Sequence, residues 1–150
     1  MFTLRKQLVL SGSKTATCCS KTSFQREYER GEAPCAGSYN IILDGTGQPM
    51  CVIQTVRLQV IRFCEMTSEL ASKEGQGDLS LEYWKEGHKR YFEREGTYSE
   101  EMELVFEEFE LSEILKKSDP GTKQTPILTR MLCPLLANNR IACSATMVFY

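Results

Sequence analysis

The chain is poor in the residue patterns that usually announce a site. It has one histidine and no C-x-x-C pair. Its seven cysteines lie at 18, 19, 35, 51, 64, 133 and 143. The number is odd, and no second thiol or histidine sits at zinc-finger spacing, which argues against a disulfide framework and against structural zinc. Cys51 and Cys64 fall within apolar runs and read as small buried hydrophobes, the usual fate of a free cysteine in a reducing compartment. No apolar stretch approaches the roughly 18 residues of a membrane helix. The N-terminus also lacks the basic, long-apolar, small-residue layout of a secretory signal. We therefore expect a cytoplasmic protein without membrane contact, cofactor or metal.

Positive charge is not in excess either. Lysine and arginine total 18 against 20 aspartates and glutamates, a net charge of -2, so there is no global basic face of the kind that releases counterions from a nucleic-acid backbone. A local groove carrying Arg26, Arg30, Lys85, Lys89 and Arg90 is one reading; a dispersed, solvated surface is the plainer one.

What is present is an ordinary globular composition, 41% hydrophobic and 25% charged over 150 residues, enough for one core. Leu4 and Leu8, with Phe2 and Val9, predict a short amphipathic helix from Phe2 to Ser11 that Gly12 stops. Ser13 to Ser20 suits a strand, with Lys14 in the loop before it. Gln25 to Gly37, broken by Gly31, Pro34 and Gly37, reads as a connection rather than a packed element. Tyr39 to Leu43, the turn at Asp44-Gly45 with Gly47 and Pro49, and Cys51 to Phe63 predict a hairpin. Thr67 is placed to cap a helix through Lys73, and Ser80 a second running to about Glu95 whose Leu81, Trp84, His88 and Tyr91 share one face. Glu103 to Leu111 closes the domain as a strand. Lys116 to Pro126 is a polar linker, and 127–150 is apolar without a clear period. Residues 1–111 are thus expected to form the domain and 112–150 an atypical extension; an apolar tail of this kind can dock or swap with a neighbour, so a homo-oligomer is among the expectations.

The run Ser11-Gly12-Ser13-Lys14-Thr15-Ala16-Thr17 has the form G-x-K-x-x-T. It is followed in order by Gly31-Glu32 with Pro34 and Gly37, by Leu43-Asp44-Gly45 with Pro49, by 71–81 (ASKEGQGDLSL), and by Trp84 and His88. Together these resemble the ASCH family over about residues 8 to 111, in particular its longer bacterial members. The resemblance implies an α+β fold: a mixed β-barrel related to the PUA fold, with helices packed on it. It departs from the family at both ends, since Met1 falls inside the helix that relatives precede with a longer segment, and no family counterpart is recognised after Ser112.

Lys14 and Thr17 would face opposite sides of a regular strand, so sharing a cleft requires a bend, which Gly12 supplies. A desolvated Lys14 could take the proton of the Thr17 hydroxyl, and Glu74 could hold a leaving amine or pass a proton. Small relatives with this Lys, Thr and Glu arrangement are amidohydrolases of N4-acylated cytidine, so the resemblance implies Lys14, Thr17 and Glu74 as catalytic residues. It sets Gly12, Thr15, Asp78, Trp84 and His88 around a substrate. Each residue also has a plainer role: a solvated lysine, an ordinary strand threonine, a surface glutamate, a helix cap at Asp78, core packing for Trp84 and His88. Two functions of different classes follow, a module that binds RNA or a modified nucleoside without turnover and an amidohydrolase acting on acylated cytidine.

Overall fold

The computed structural model describes residues 7–44 and 46–115. The beginning of the expected first helix, Gly45 and the chain from residue 116 onward lie outside the described residues. Four strands, β1 (Ala16–Ser20), β2 (Tyr39–Leu43), β3 (Pro49–Arg62) and β4 (Glu103–Ile114), form one sheet. Their order is β1-β4-β3-β2, and every neighbouring pair is antiparallel. Register shifts in the β3–β4 pair, between Val52 and Ile53 and between Thr55 and Arg57, interrupt the ladder, and bulges of this kind bend a sheet. The result is a curled half-barrel with helices against it, the α+β class that the resemblance implied.

The helices are α1 (Lys21–Glu29), α2 (Ser68–Lys73) and α3 (Leu81–Glu95), with a 3-10 turn at Phe63–Glu65. The two expected caps are in place: Thr67 Oγ1 accepts from Leu70 N–H and Ser80 Oγ from Tyr83 N–H, each satisfying a donor that the helix itself leaves unpaired. Gly96, at φ +72, ends α3. Asp44 Oδ1 accepts from the N–H groups of Thr46 and Gln48, the local bonding that lets aspartate shape the hairpin turn.

One expectation fails. The stretch from Gln25 was read as a connection, yet α1 occupies Lys21–Glu29. The helix is capped by Ser20, whose hydroxyl accepts from Ser23 N–H, and it buries no residue. It lies against β1 and β4 through the half-buried Ser23, Phe24 and Glu27, a stripe too mixed in polarity to show as an apolar period.

The core has two parts on opposite faces of the sheet. Ala16, Cys18, Leu104 and Phe106 pack with Phe63, Trp84 and Phe92 beneath α3. Ile42, Cys51, Ile53 and Phe109 pack with Val9 on the other face. Strand alternation accounts for the division, since even-numbered residues of β1 and β4 point to one side and odd-numbered residues to the other.

Candidate functional site

Lys14 is positioned by its backbone neighbours. Residues 7–10 are helical, Gly12 turns the chain at φ +76, and Lys14 N–H donates to Leu8 O at 2.9 Å. Thr15 then bridges two elements, donating to Lys73 O at the end of α2 and accepting from Phe109 N–H of β4. The end of α2 comes so close that a Cβ on Gly75, which sits at φ +69, would lie 2.4 Å from Ser13 O. A glycine there permits both the left-handed turn and the contact.

This clamp drives Lys14 inward until only 1% of it is exposed. Its Nζ donates to the backbone carbonyl and to Oε2 of Glu74, both at 3.4 Å. Glu74, the C-cap of α2, is equally buried. Trp84 Nε1–H donates to its Oε1 at 3.0 Å, and His88 Nε2 lies 3.5 Å from its Oε2. The His88 ring stacks on Trp84 with centroids 4.0 Å apart, and Nδ1 donates to Trp84 O. Burial alone would push the Glu74 carboxyl up, but the charges of Lys14 and His88 with the hydrogen bonds from His88 and Trp84 outweigh it and hold the group well below the usual carboxylate range. Lys14, Glu74, Trp84 and His88 therefore form one buried constellation on the α3 face.

Thr17 belongs to the other face. It is half-buried between the buried Ala16 and Cys18, and its register partner in β4 is Glu107. Glu107 is buried, and its Oε1 accepts from the Thr55 hydroxyl at 2.6 Å. Thr55 accepts in turn from Asn40 Nδ2 at 3.1 Å. Burial pushes the Glu107 carboxyl up to about 7, helped by the charge of Glu27 and offset in part by the Thr55 hydrogen bond and the charge of Lys14. Lys14 thus acts on both carboxyls, from the end of β1 where the two faces meet. The remaining expected contact residues lie further out. Gly12 and Thr15 are exposed and act through the backbone, while Asp78 is exposed and accepts from Ser80 N–H at 2.9 Å, shaping the start of α3.

The ASCH domain family model matches residues 3–113. The chain belongs to the ASCH domain family. Two solved structures are similar to this ASCH domain. A crystal structure of the ASCH domain from Lactobacillus crispatus JV V101 is 29% identical, with a TM-score of 0.66 over 74% of this chain and 72% of that one. Protein EF3133 from Enterococcus faecalis V583 is 34% identical, with a TM-score of 0.64 over 77% of this chain and 74% of that one. No curated protein matches the chain.

Several residues of this ASCH domain drew no attention as site residues from the sequence. Glu107 is one, and the signal that finds it is its register opposite Thr17. Cys18 is another: its Sγ lies with atoms of Glu74 and His88 within 4.8 Å of one another, a set that could hold a metal ion. Glu74 is already engaged by Lys14, Trp84 and His88, and the lysine ammonium occupies the place where a cation would offset its charge, so we assign the set no metal. Burial first, then Glu74, pushes the Cys18 thiol well above its ordinary value, and burial, Glu27 and Glu107 push Cys19 up to about 12. Neither is a thiolate nucleophile at neutral pH. Tyr83 does not belong with these: its ring is one the sequence offers for stacking a base, and it is half exposed over Gly77, where a Cβ would meet the ring at 2.4 Å. Among the described residues no helix is long and apolar enough to cross a membrane.

Proposed function

We propose that the site takes a modified nucleoside and hydrolyses an amide on its exocyclic amine, N4-acylcytidine being the type of substrate. The observation that carries this reading is the burial of Lys14 against Glu74. A lysine that meets the phosphates of an RNA strand has to reach solvent, and Lys14 is 1% exposed in a chain of net charge -2. A buried ion pair is also a poor device for stability, since taking two charges out of water costs several kcal/mol and an apolar pair of similar volume often does as well. Chemistry gives it a purpose. When a hydroxyl attacks an amide carbonyl, negative charge develops on the oxygen; Lys14 would act on it through its field rather than by contact, since its charge already reaches Glu107 opposite Thr17.

In this reading Thr17 supplies the hydroxyl. Its Oγ1 forms a bond to the acyl carbon, the bond from that carbon to the exocyclic nitrogen breaks, and the amine leaves with a proton; water then cleaves the acyl-threonine ester. Glu74 holds Lys14 in its charged, oriented state, and Trp84 and His88 hold Glu74.

The test is deacylation of N4-acetylcytidine, followed by chromatography of released cytidine, for the wild type, Thr17→Ala, Lys14→Ala and Glu74→Gln. Turnover in the wild type and a loss of about 100-fold or more in each variant is expected. A wild type that binds single-stranded RNA with a steep salt dependence and deacylates nothing would instead establish the binding-module function and end this proposal.

A further inference from the structure

The hydroxyl proton of Thr17 needs an acceptor, and Lys14 is already committed to Glu74. We propose that Glu107 is that acceptor, so that Thr17 and Glu107 form a hydroxyl–carboxyl pair across the β1–β4 ladder. The inference rests on the amidohydrolase reading for its chemistry and on the sheet register for its geometry.

Thr17 and Glu107 are direct Cα partners in an antiparallel pair. Side chains so placed stand on one face with Cβ atoms about 5 Å apart, within reach of a hydrogen bond between a hydroxyl and a longer carboxyl side chain. The carboxyl is held on its far side: Oε1 accepts from Thr55, Thr55 accepts from Asn40, and Ser38 lies 3.5 Å from the same Thr55 oxygen. That row of buried polar groups ends on Asn40 Oδ1, which has no hydrogen-bond partner. Asn40 is 0% exposed, and a fully buried acceptor without a donor is uncommon enough to ask for a function.

The groups that act on Glu107 are Glu27 of α1, which raises its affinity for a proton, and Lys14 before β1, which lowers it. The Cys19 thiol on β1 feels Glu107 in return. Burial dominates and brings the carboxyl to titrate near neutrality, where a general base can both take and return a proton. In the acylation step the Thr17 proton passes to the Glu107 carboxylate as the oxygen–carbon bond forms. The same proton then goes to the departing amine as the carbon–nitrogen bond breaks. In deacylation Glu107 takes a proton from water and returns it to Thr17, so both residues end as they began.

Two measurements decide the matter. The first needs no substrate: the Glu107 carboxyl is titrated by carbon-detected NMR in the wild type and in Thr17→Val, with Glu107→Gln to assign the signal. A wild-type midpoint near neutrality that rises in Thr17→Val is expected, because the variant removes a donor to the charged form. A midpoint unmoved by Thr17→Val overturns the pair, whatever the assay gives. The second is the pH profile of N4-acetylcytidine deacylation. Glu107→Gln keeps an oxygen for Thr55 and cannot accept a proton. It should lower turnover about 100-fold or more and abolish the acidic limb of the profile. A variant within about threefold of wild type, with the limb intact, overturns the base role. If the midpoint moves and the wild type hydrolyses no acylated cytidine, the pair stands as a binding feature, and it is the amidohydrolase reading that falls.

Discussion

Glu74 and Glu107 are both buried carboxyls, one on each face of the sheet, and their surroundings send them in opposite directions. Glu74 meets a lysine, a histidine and an indole N–H, so its charge is stabilised despite burial. Glu107 meets a threonine hydroxyl and, further off, the like charge of Glu27 and the opposite charge of Lys14, and burial wins. Depth alone therefore says little about a buried acid; the count and sign of its partners decide. The contrast also separates their work, since a permanently ionised group holds a cation while one that titrates near neutrality moves a proton.

The sharpest way to break the contrast is to remove Lys14. Lys14→Met leaves Glu74 charged and buried without its ammonium and should destabilise the fold by about 3 to 5 kcal/mol in denaturant unfolding. Adding Glu74→Leu should recover much of that loss, and no recovery would mean that the pair itself holds the fold together.

The pH dependence of stability comes next. Glu107 titrates at about 7 in the fold against 4.5 for the ordinary group, so between those values the folded state keeps a proton that the unfolded chain has released. Stability should decline by about 3 kcal/mol as pH rises through that window. Glu74 acts with the opposite sign: its folded value lies below 4.5, so its contribution is complete above that pH and is lost as the pH falls through the folded value. Glu107→Gln should erase the decline toward neutrality and leave the acid loss untouched, as urea midpoints at several pH values would show.

A smaller effect is expected from Trp84→Phe, which keeps an aromatic ring next to Phe63 and deletes the hydrogen bond to Glu74; about 2 kcal/mol is the scale for a bond to a charged group. The smallest tests the surface. Lys21 and Glu103 form an ion pair at 2.5 Å with each side chain about half exposed, and Lys21→Ala should cost less than about 1 kcal/mol. An equal loss for the exposed and buried lysines would remove burial from the explanation.

Much of the frame was legible because local chemistry set it. The caps at Thr67 and Ser80, the Asp44 turn and the aromatic face of α3 each depend on a few adjacent residues, and the structure has them where spacing put them. The Lys14–Glu74 partnership was legible only as a possibility of the motif, because 60 residues separate the two and their meeting depends on Gly75 letting α2 touch the Lys14 loop. Thr17 shows the opposite case: the bend at Gly12 was expected to bring it into one cleft with Lys14, but strand alternation leaves it on the other face, opposite Glu107. Glu107 was hidden because Leu104, Val105, Phe106 and Phe109 are all buried. Where both faces of a strand are covered, period two no longer tells which glutamate points inward. The α1 helix escaped notice for the reverse reason, having no buried stripe to reveal it.

The indole that donates to Glu74 belongs to the chain's single tryptophan. Its emission therefore comes from one place, free of background from any other indole, and that place is in direct contact with the ionised acid of the site. Anything that alters the charge or the company of Glu74 should register in the protein's native fluorescence, without a label. A chain with few distinguishing residues has thus put its one optical reporter beside the group whose state matters most to follow.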